Sequence, residues 1–271
     1  MVPEGHPIRC YLCKELPTDE IRYMSPPPGE TRFLNHEMWY PRSYSFCAKC
    51  LHWTSSLVGH QSLDYEREYA SSTYGSQIRE NFEKIMSLPE HQSDNQQRVK
   101  WLEQKIGVFK GNSPELTVLD IGSGLGVFPY LLAQHGWRVT ALEPNLALRH
   151  HLESLNCFRV WGGDLSSLDT SETFDLITLN KVLEHVADPL GMLGDIQKRL
   201  SPQGALYVEV PDGEGAVIVG QDREEFFVEH LHVFSLRSLQ TMLKNASYLS
   251  VESTVLREPS GKFTIRQLSR K

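Results

Sequence analysis

The feature that most restricts the fold is an alternation of strand-like and helix-like segments that begins at about residue 114. Short apolar runs, such as 116–121 and 174–179, are each followed by apolar residues at helical spacing. Parallel strands need crossover connections, usually helices, so the alternation predicts a doubly wound, largely parallel α/β sheet. Two more strand-like runs, 247–257 and 262–268, are joined across 259–261 and predict an antiparallel edge at the carboxyl end.

Two cysteine pairs precede this region. They are Cys10 with Cys13 and Cys47 with Cys50, and 33 residues separate the pairs. Each CxxC pair can present two sulfurs from a tight turn, and four thiolates match Zn²⁺ in a closed tetrahedral shell. The separation exceeds the roughly 15 to 20 residues of the common zinc-ribbon spacing, so we expect a loop that includes 26–29. A pair of disulfides or a redox CxxC is the alternative to a structural zinc site.

The chain therefore divides into three predicted parts. Residues 1–55 form a small zinc-binding domain, 56–113 a helical linker or lid, and 114–271 the α/β domain. The helical character of the middle part rests on two apolar faces at helical spacing, formed by Ile78, Phe82, Ile85 and Met86, and by Val99, Leu102 and Ile106.

The charge balance limits the partners. The chain has 34 acidic and 27 basic side chains, a net charge of −7, which offers no bulk attraction to phosphate backbones or anionic lipid. We therefore expect neither a nucleic-acid nor a membrane partner. The longest apolar runs are shorter than the ~20 residues that a membrane helix needs, and the first residues lack the features of a signal peptide, which predicts a cytoplasmic location.

A glycine-rich loop follows the first strand of the α/β domain. Gly122, Gly124 and Gly126 come directly after Asp120, and ligands of doubly wound sheets bind beyond the carboxyl ends of the strands. A dinucleotide site has the spacing GxGxxG, which seats a pyrophosphate, whereas the spacing here is GxGxG beside a carboxylate. Because a carboxylate repels a diphosphate and attracts an ammonium or sulfonium group, the charge favours S-adenosylmethionine over NAD.

Three more polar residues follow successive strands. Glu143 can accept hydrogen bonds from ribose hydroxyls, Asp164 can accept one from an adenine amino group, and Asn180 can line the methionine end. Each residue also has a simpler interpretation. Asp164, for example, could simply cap a turn. Their position at successive strand ends predicts one site for the whole cofactor.

These segments resemble the class I S-adenosylmethionine-dependent methyltransferases over roughly residues 114–257. The resemblance rests on 118–126, 141–145, 163–165 and 174–189. It implies a Rossmann-like methyltransferase sheet and S-adenosylmethionine as the cofactor. It also implies cofactor-binding roles for Asp120, Gly122, Gly124, Gly126, Glu143, Asp164 and Asn180.

A two-CxxC domain joined to this fold looks like the zinc-containing sugar C-methyltransferases, which methylate a carbon of a nucleotide-linked ketosugar. Segments 74–82 and 228–235 resemble two of their motifs. The resemblance implies that Glu229 and His230 form the base unit, with Tyr74 and His185 near the substrate. Those enzymes are longer and have a carboxy-terminal α/β domain, which has no counterpart in this sequence.

Methyl transfer from a sulfonium is an in-line displacement, for which the enzyme aligns the nucleophile and removes its proton. An ordinary histidine pKa of ~6.5 suits this task, so His230 is the candidate general base, and Glu229 could orient its ring or point away. The alternative is that His230 only packs in the loop before Ser235. The connection 211–234 is long for a passive loop, which favours contact with the substrate.

The sequence thus predicts a methyltransferase that acts on a small polar metabolite, a sugar or a nucleotide sugar, by C- or O-methylation. Two other functions remain open. One is a non-catalytic scaffold that keeps the cofactor fold for binding, and the other is methylation of a protein substrate. The sequence does not specify the acceptor or the oligomeric state.

Overall fold

The computed structural model describes residues 8–33, 40–58, 77–107, 115–169 and 171–271. The strands are β1 (Asp19–Tyr23), β2 (Arg42–Cys47), β3 (His52–Ser55), β4 (Thr117–Ile121), β5 (Arg138–Leu142), β6 (Arg159–Trp161), β7 (Phe174–Asn180), β8 (Leu200–Pro211), β9 (His232–Val233), β10 (Leu249–Arg257) and β11 (Phe263–Arg270). The helices are α1 (Ile78–Met86), α2 (Asp94–Ile106), α3 (Val127–Gln134), α4 (Leu146–Ser154), α5 (Pro189–Arg199), α6 (Gly213–Val219) and α7 (Leu236–Asn245). None of these helices is long and apolar enough to cross a bilayer.

The larger sheet has seven strands in the order β10-β11-β8-β7-β4-β5-β6. The five strands from β8 to β6 are parallel, whereas β11 runs antiparallel to both β8 and β10. The predicted doubly wound sheet with an antiparallel carboxy-terminal edge is therefore confirmed. Strand order reverses beside β4, whose neighbours are β5 and β7, and a ligand crevice is expected at such a reversal.

Helices cover both faces of this sheet. Neighbouring residues of a strand point to opposite faces, so they pack in different clusters. On one face, Val118 of β4 packs in a cluster with Leu102 of α2 and Leu132 of α3. On the other face, Leu119 packs in a cluster with Ile196 of α5. Helix α2 thus packs in the helical layer of the α/β sheet, although it belongs to the predicted middle part of the chain.

The smaller sheet has four antiparallel strands in the order β1-β2-β3-β9. Three come from the amino-terminal part, and β9 comes from the connection 211–234 of the α/β domain. Trp53 pairs with Val233 and Thr54 with His232. Tyr44, Trp53 and Phe226 share one buried cluster, so the amino-terminal part and the α/β domain have a common core. The division into 1–55, 56–113 and 114–271 stays a prediction.

Candidate functional site

The glycine-rich loop joins β4 to α3 in a backbone conformation that favours glycine. The φ angles of Gly122, Gly124 and Gly126 are 70°, 53° and 77°, in the left-handed region that side chains disfavour. A Cβ atom on Gly126 would also lie 2.3 Å from Leu152 Cδ2. The loop can therefore lie close to α4 and offer bare backbone at the start of α3.

Glu143, which follows β5, holds this loop in place. Its Oε2 accepts a hydrogen bond from the Gly124 N–H at 2.8 Å, and its Oε1 accepts one from the Asn145 N–H at 2.9 Å. Burial raises the pKa of the Glu143 carboxyl group. The carboxylate predicted to bind ribose thus also braces the glycine loop.

A cavity of about 610 Å³ opens at this loop, at the carboxyl ends of β4, β5 and β7. Its volume is in the range of small-molecule and cofactor sites. Among the residues that line it are Gly122, Gly124, Gly126, Glu143 and Asn180. The Asn180 Oδ1 is buried and has no hydrogen-bond partner among the described residues. A carboxylate, bare backbone and an unsatisfied amide oxygen suit a ligand with hydroxyl and ammonium donors.

Asp120 and Asp164, two further predicted cofactor residues, have partners within the protein. Asp120 is 2% exposed and accepts a hydrogen bond of 2.6 Å from the Thr178 hydroxyl, and burial raises its pKa to about 6. Asp164 is exposed and caps the turn 165–167 by accepting from the Ser167 N–H at 3.0 Å. Neither residue lines the cavity, and their cofactor roles stay predictions.

A second cavity, of about 280 Å³, adjoins the first. It is lined by polar residues of the turn after β7, the connection before β9 and the turn between β10 and β11, among them Glu184, Glu224, Glu225, Glu229 and His230. Lys181, His185 and Lys262 line both cavities. These three residues therefore mark the place where the contents of the two cavities would meet.

His185 and His230 face each other at this place, with ring centroids 4.9 Å apart. The Nδ1 of His230 lies 2.9 Å from the carbonyl oxygen of Glu225, and that of His185 lies 2.9 Å from the carbonyl oxygen of Glu229. An Nδ1–H that donates to a carbonyl leaves the lone pair on Nε2. Burial lowers the pKa of His185 to about 4 and that of His230 well below its ordinary value. Both rings are therefore neutral near pH 7.

Two carboxyl groups complete this cluster. Burial raises the pKa of Glu184 to about 8 and that of Glu229 to about 7. Glu184 is fully buried, neither of its carboxyl oxygens has a hydrogen-bond partner among the described residues, and its Oε1 lies 4.0 Å from His185 Nε2. The ligand atoms of Glu184, His185 and His230 lie within 4.8 Å of one another. This set could hold a proton or a divalent cation, and the cations of Lys181 and Lys262 close by repel a divalent cation more strongly than a proton.

The four predicted zinc ligands come together. The sulfur atoms of Cys10, Cys13, Cys47 and Cys50 lie within 4.8 Å of one another, and none of the four is in a disulfide. Cys13 Sγ and Cys47 Sγ are 3.6 Å apart, close to the ~3.8 Å between thiolates that surround a tetrahedral zinc ion at ~2.3 Å. The donor set therefore fits Zn²⁺. Disulfide pairing, the alternative considered above, does not occur in this structure.

Tyr74, the fourth predicted catalytic residue, lies outside the described residues, so its place beside the substrate stays a prediction. The sequence did not single out Glu184, Lys181 or Lys262. Glu184 could have been found from its position next to His185 in a matching segment. Lys262 had no such signal, because the hairpin of β10 and β11 brings it to the site.

The model of the methyltransferase domain family matches residues 77–252 of this chain. Among curated relatives, the ubiquinone biosynthesis O-methyltransferase of Pseudomonas fluorescens is 30% identical over 120 residues, which are 42% of this chain and 50% of the relative. That of Coxiella burnetii is 33% identical over 120 residues, 42% of this chain and 49% of the relative. The chain thus spans about half the length of these relatives.

Solved structures share the fold. The 1,6-didemethyltoxoflavin-N1-methyltransferase of Burkholderia thailandensis has a TM-score of 0.56 and 19% identity, over 85% of this chain and 95% of that one. The magnesium protoporphyrin IX methyltransferase of Synechocystis PCC 6803 has a TM-score of 0.55 and 16% identity, over 74% of this chain and 96% of that one. At these identities the likeness concerns the fold alone.

Proposed function

This chain belongs to the methyltransferase domain family; from this premise we propose that it is an S-adenosylmethionine-dependent methyltransferase that acts on a small polar metabolite, a sugar or nucleotide sugar. The observation that carries the proposal is the meeting of two cavities at Lys181, His185 and Lys262. One cavity has the donor-binding loop and the other has an acid–base cluster.

The larger cavity is the proposed cofactor site. S-adenosylmethionine, when bound, supplies a methyl group activated by a positive sulfur. The backbone of Gly122, Gly124 and Gly126 and the carboxylate of Glu143 would hold the nucleoside, and Asn180 would accept from the ammonium group of the methionine end. Asp120 would support this site without lining it, because its hydrogen bond with Thr178 ties β4 to β7.

His230 is the proposed general base, with His185 beside it. A neutral ring can accept a proton from the acceptor, and burial keeps the pKa of His230 low enough that it is unprotonated near pH 7. The Glu225 carbonyl orients the ring, so that Nε2 is the accepting atom. The cations of Lys181 and Lys262 would stabilise the negative charge that develops on the acceptor.

The composition of the second cavity supports the substrate class. Its lining includes glutamates, lysines and histidines, which suit the hydroxyl groups of a sugar better than an apolar ring system. Glu229 lines this cavity and, with its pKa raised to about 7, can accept from or donate to a sugar hydroxyl. The resemblance of segments 74–82 and 228–235 to sugar C-methyltransferases is in line with this choice, and Tyr74 is proposed as a further substrate contact.

The four cysteines are proposed to hold a structural zinc ion. A shell of four thiolates leaves no position for a substrate, so the ion would stabilise the amino-terminal part. Thiols that are not paired in disulfides suit a reducing compartment, and we propose a cytoplasmic location on that ground.

Two measurements test the proposed function. Calorimetric titration with S-adenosylmethionine should show binding, and addition of a nucleoside-diphosphate-linked ketosugar should release S-adenosylhomocysteine. His230→Ala should keep the binding and lose the release. Absence of cofactor binding would refute the donor site. Cofactor binding with release on a protein substrate, and none on sugars, would instead favour protein methylation.

A further inference from the structure

Residues 226–230, here called the acceptor loop, are held by side chains of the amino-terminal part. The loop carries Glu229 and His230, begins at the last residue of the turn 224–226 and precedes β9. Its backbone groups make buried or part-buried hydrogen bonds to side chains that lie almost two hundred residues earlier in the chain.

Tyr44 of β2 makes two of these contacts. Its hydroxyl lies 2.8 Å from the carbonyl oxygen of Phe227 and 2.6 Å from that of His230. The side chain is fully buried, and its ring meets the Phe226 ring edge to face at 5.4 Å. The Tyr44 hydroxyl therefore fixes the backbone of His230 itself, while the Glu225 carbonyl fixes its ring.

Arg42 and Glu30 hold the other end of the loop. Arg42 Nη2 donates to Glu30 Oε1 at 2.7 Å and to the carbonyl oxygen of Phe226 at 2.8 Å. Glu30 Oε1 also accepts from the Val228 N–H at 2.7 Å. Both charged side chains are fully buried. Burying an ion pair costs more than burying apolar residues of similar size, so this pair serves geometry more than stability.

The segment after the loop is fixed on both sides. The Ser55 N–H, at the end of β3, donates to the Leu231 carbonyl oxygen at 2.9 Å. The Leu231 N–H donates at 2.8 Å to the carbonyl oxygen of Glu184, in the turn that carries His185. The amino-terminal sheet, the acceptor loop and the turn after β7 thus form one connected hydrogen-bond system.

We propose that Tyr44, supported by Arg42 and Glu30, is a positioning residue for methyl transfer: it holds the acceptor loop so that His230 faces the junction of the two cavities. This inference rests on the proposed function, which assigns the base to His230. Without the Tyr44 hydroxyl, the part-buried carbonyls of Phe227 and His230 lose the one donor that they share, and the loop can turn toward another donor. A displacement of about 1 Å at a reacting group can lower the rate about a hundredfold.

The test compares Tyr44→Phe with Tyr23→Phe. Tyr23 belongs to the same buried cluster, and its hydroxyl donates to the Gln221 carbonyl oxygen, outside the acceptor loop. Each change removes one buried hydroxyl, so each should lower the melting temperature by a similar amount. Only Tyr44→Phe should lower kcat, by about ten- to a hundredfold, with the dissociation constant of S-adenosylmethionine unchanged.

A second readout needs no acceptor. Hydrogen exchange followed by mass spectrometry should show faster exchange of the peptide that contains the Val228 and Leu231 amides in Tyr44→Phe but not in Tyr23→Phe. Equal exchange and equal kcat in the two variants would overturn the proposal. If Tyr44→Phe fails to bind S-adenosylmethionine because it does not fold, Glu30→Gln, which removes the negative charge that pairs with Arg42 and weakens the hold on the Val228 N–H, is measured by the same two readouts. It should show faster exchange of the loop and a lower kcat, and no change in either would overturn the proposal.

A double variant separates this proposal from the assignment of the base. In the His230→Ala background, Tyr44→Phe should cause no further fall in kcat, since both changes act through the same residue. An additive fall would overturn positioning through His230. If His230→Ala alone leaves turnover unchanged, the base assignment fails, and faster exchange of the loop in Tyr44→Phe with a lower kcat would still support its positioning role.

Discussion

Replacement of Glu143 by glutamine tests the cofactor site most directly. The two side chains have nearly the same shape, but the carboxylate accepts from both the Gly124 and the Asn145 N–H groups. An amide has only one oxygen, so in Glu143→Gln one of the two N–H groups faces an NH₂ group instead of an acceptor. The change therefore loosens the glycine loop and removes the negative charge predicted to face the ribose.

The size of the effect follows from these bonds. A hydrogen bond to a charged group contributes about 1.5–3 kcal/mol, and a factor of ten in a dissociation constant corresponds to about 1.4 kcal/mol. Loss of one charge-assisted bond to a ribose hydroxyl should therefore weaken S-adenosylmethionine binding about ten- to a hundredfold. The loss of folding stability should be near the lower end of that range, because burial already disfavours the charged form of Glu143.

Calorimetric titration of both proteins measures the binding, and urea unfolding measures the stability. Glu153→Gln is the matched control, since Glu153 is exposed on α4, the helix that follows the same strand. The control should bind S-adenosylmethionine as the wild type does. If folded Glu143→Gln binds the cofactor with the same dissociation constant as the control, Glu143 does not contact the ribose, and the orientation proposed for the nucleoside is wrong.

Three further outcomes follow from the same structure. His230→Ala should lower turnover by about a hundredfold or more, the usual scale of a general base, while calorimetry finds cofactor binding unchanged. Elemental analysis should find one zinc ion per chain, and Cys47→Ser, which removes one of four clustered thiols, should lose the ion and lower the melting temperature. The pKa of His185 falls to about 4 in the folded chain against ~6.5 when unfolded, so the unfolded state takes up the proton first and stability is lost as the pH falls from 6.5 toward 4. Between pH 7 and pH 5 this contribution is about 2 kcal/mol, so the change in unfolding free energy over this range, measured by urea unfolding, should differ by that amount between the wild type and His185→Gln, with the wild type losing more.

Local patterns were enough to predict the sheet and to bring five of the seven proposed cofactor residues to one cavity. Alternating apolar periods specify the strands, and parallel strands place their carboxyl ends at one edge. Residues predicted at those ends, such as Glu143 and Asn180, therefore line one cavity. The two CxxC pairs were equally informative, because the short spacing within each pair is enough to bring its two sulfurs together.

The sequence could not tell on which side of a strand end a polar residue lies. Asp120 is still within β4 and stands opposite Thr178 in the register with β7, so its carboxyl group bonds to the neighbouring strand. Asp164 comes after the end of β6, where the chain turns, and its side chain caps that turn. Both positions depend on strand register and turn geometry. The sequence motif does not reveal either, because its residues are the same whichever way the side chain points.

Local sequence patterns could not predict the contact between the amino-terminal sheet and the acceptor loop. Strand β9 has only two residues, too few for a periodicity, and the amino-terminal cysteines have a motif of their own that suggests a separate unit. Yet removing β1 to β3 would expose Phe226 and Val233, which are fully buried, and would leave the carbonyls of Phe227 and His230 without the Tyr44 hydroxyl. Exposing these apolar side chains costs free energy, and the loop would lose the hydroxyl that holds its backbone, so the acceptor loop could not keep this conformation alone. The part of the chain that carries the cysteines is therefore a structural component of the proposed acceptor site.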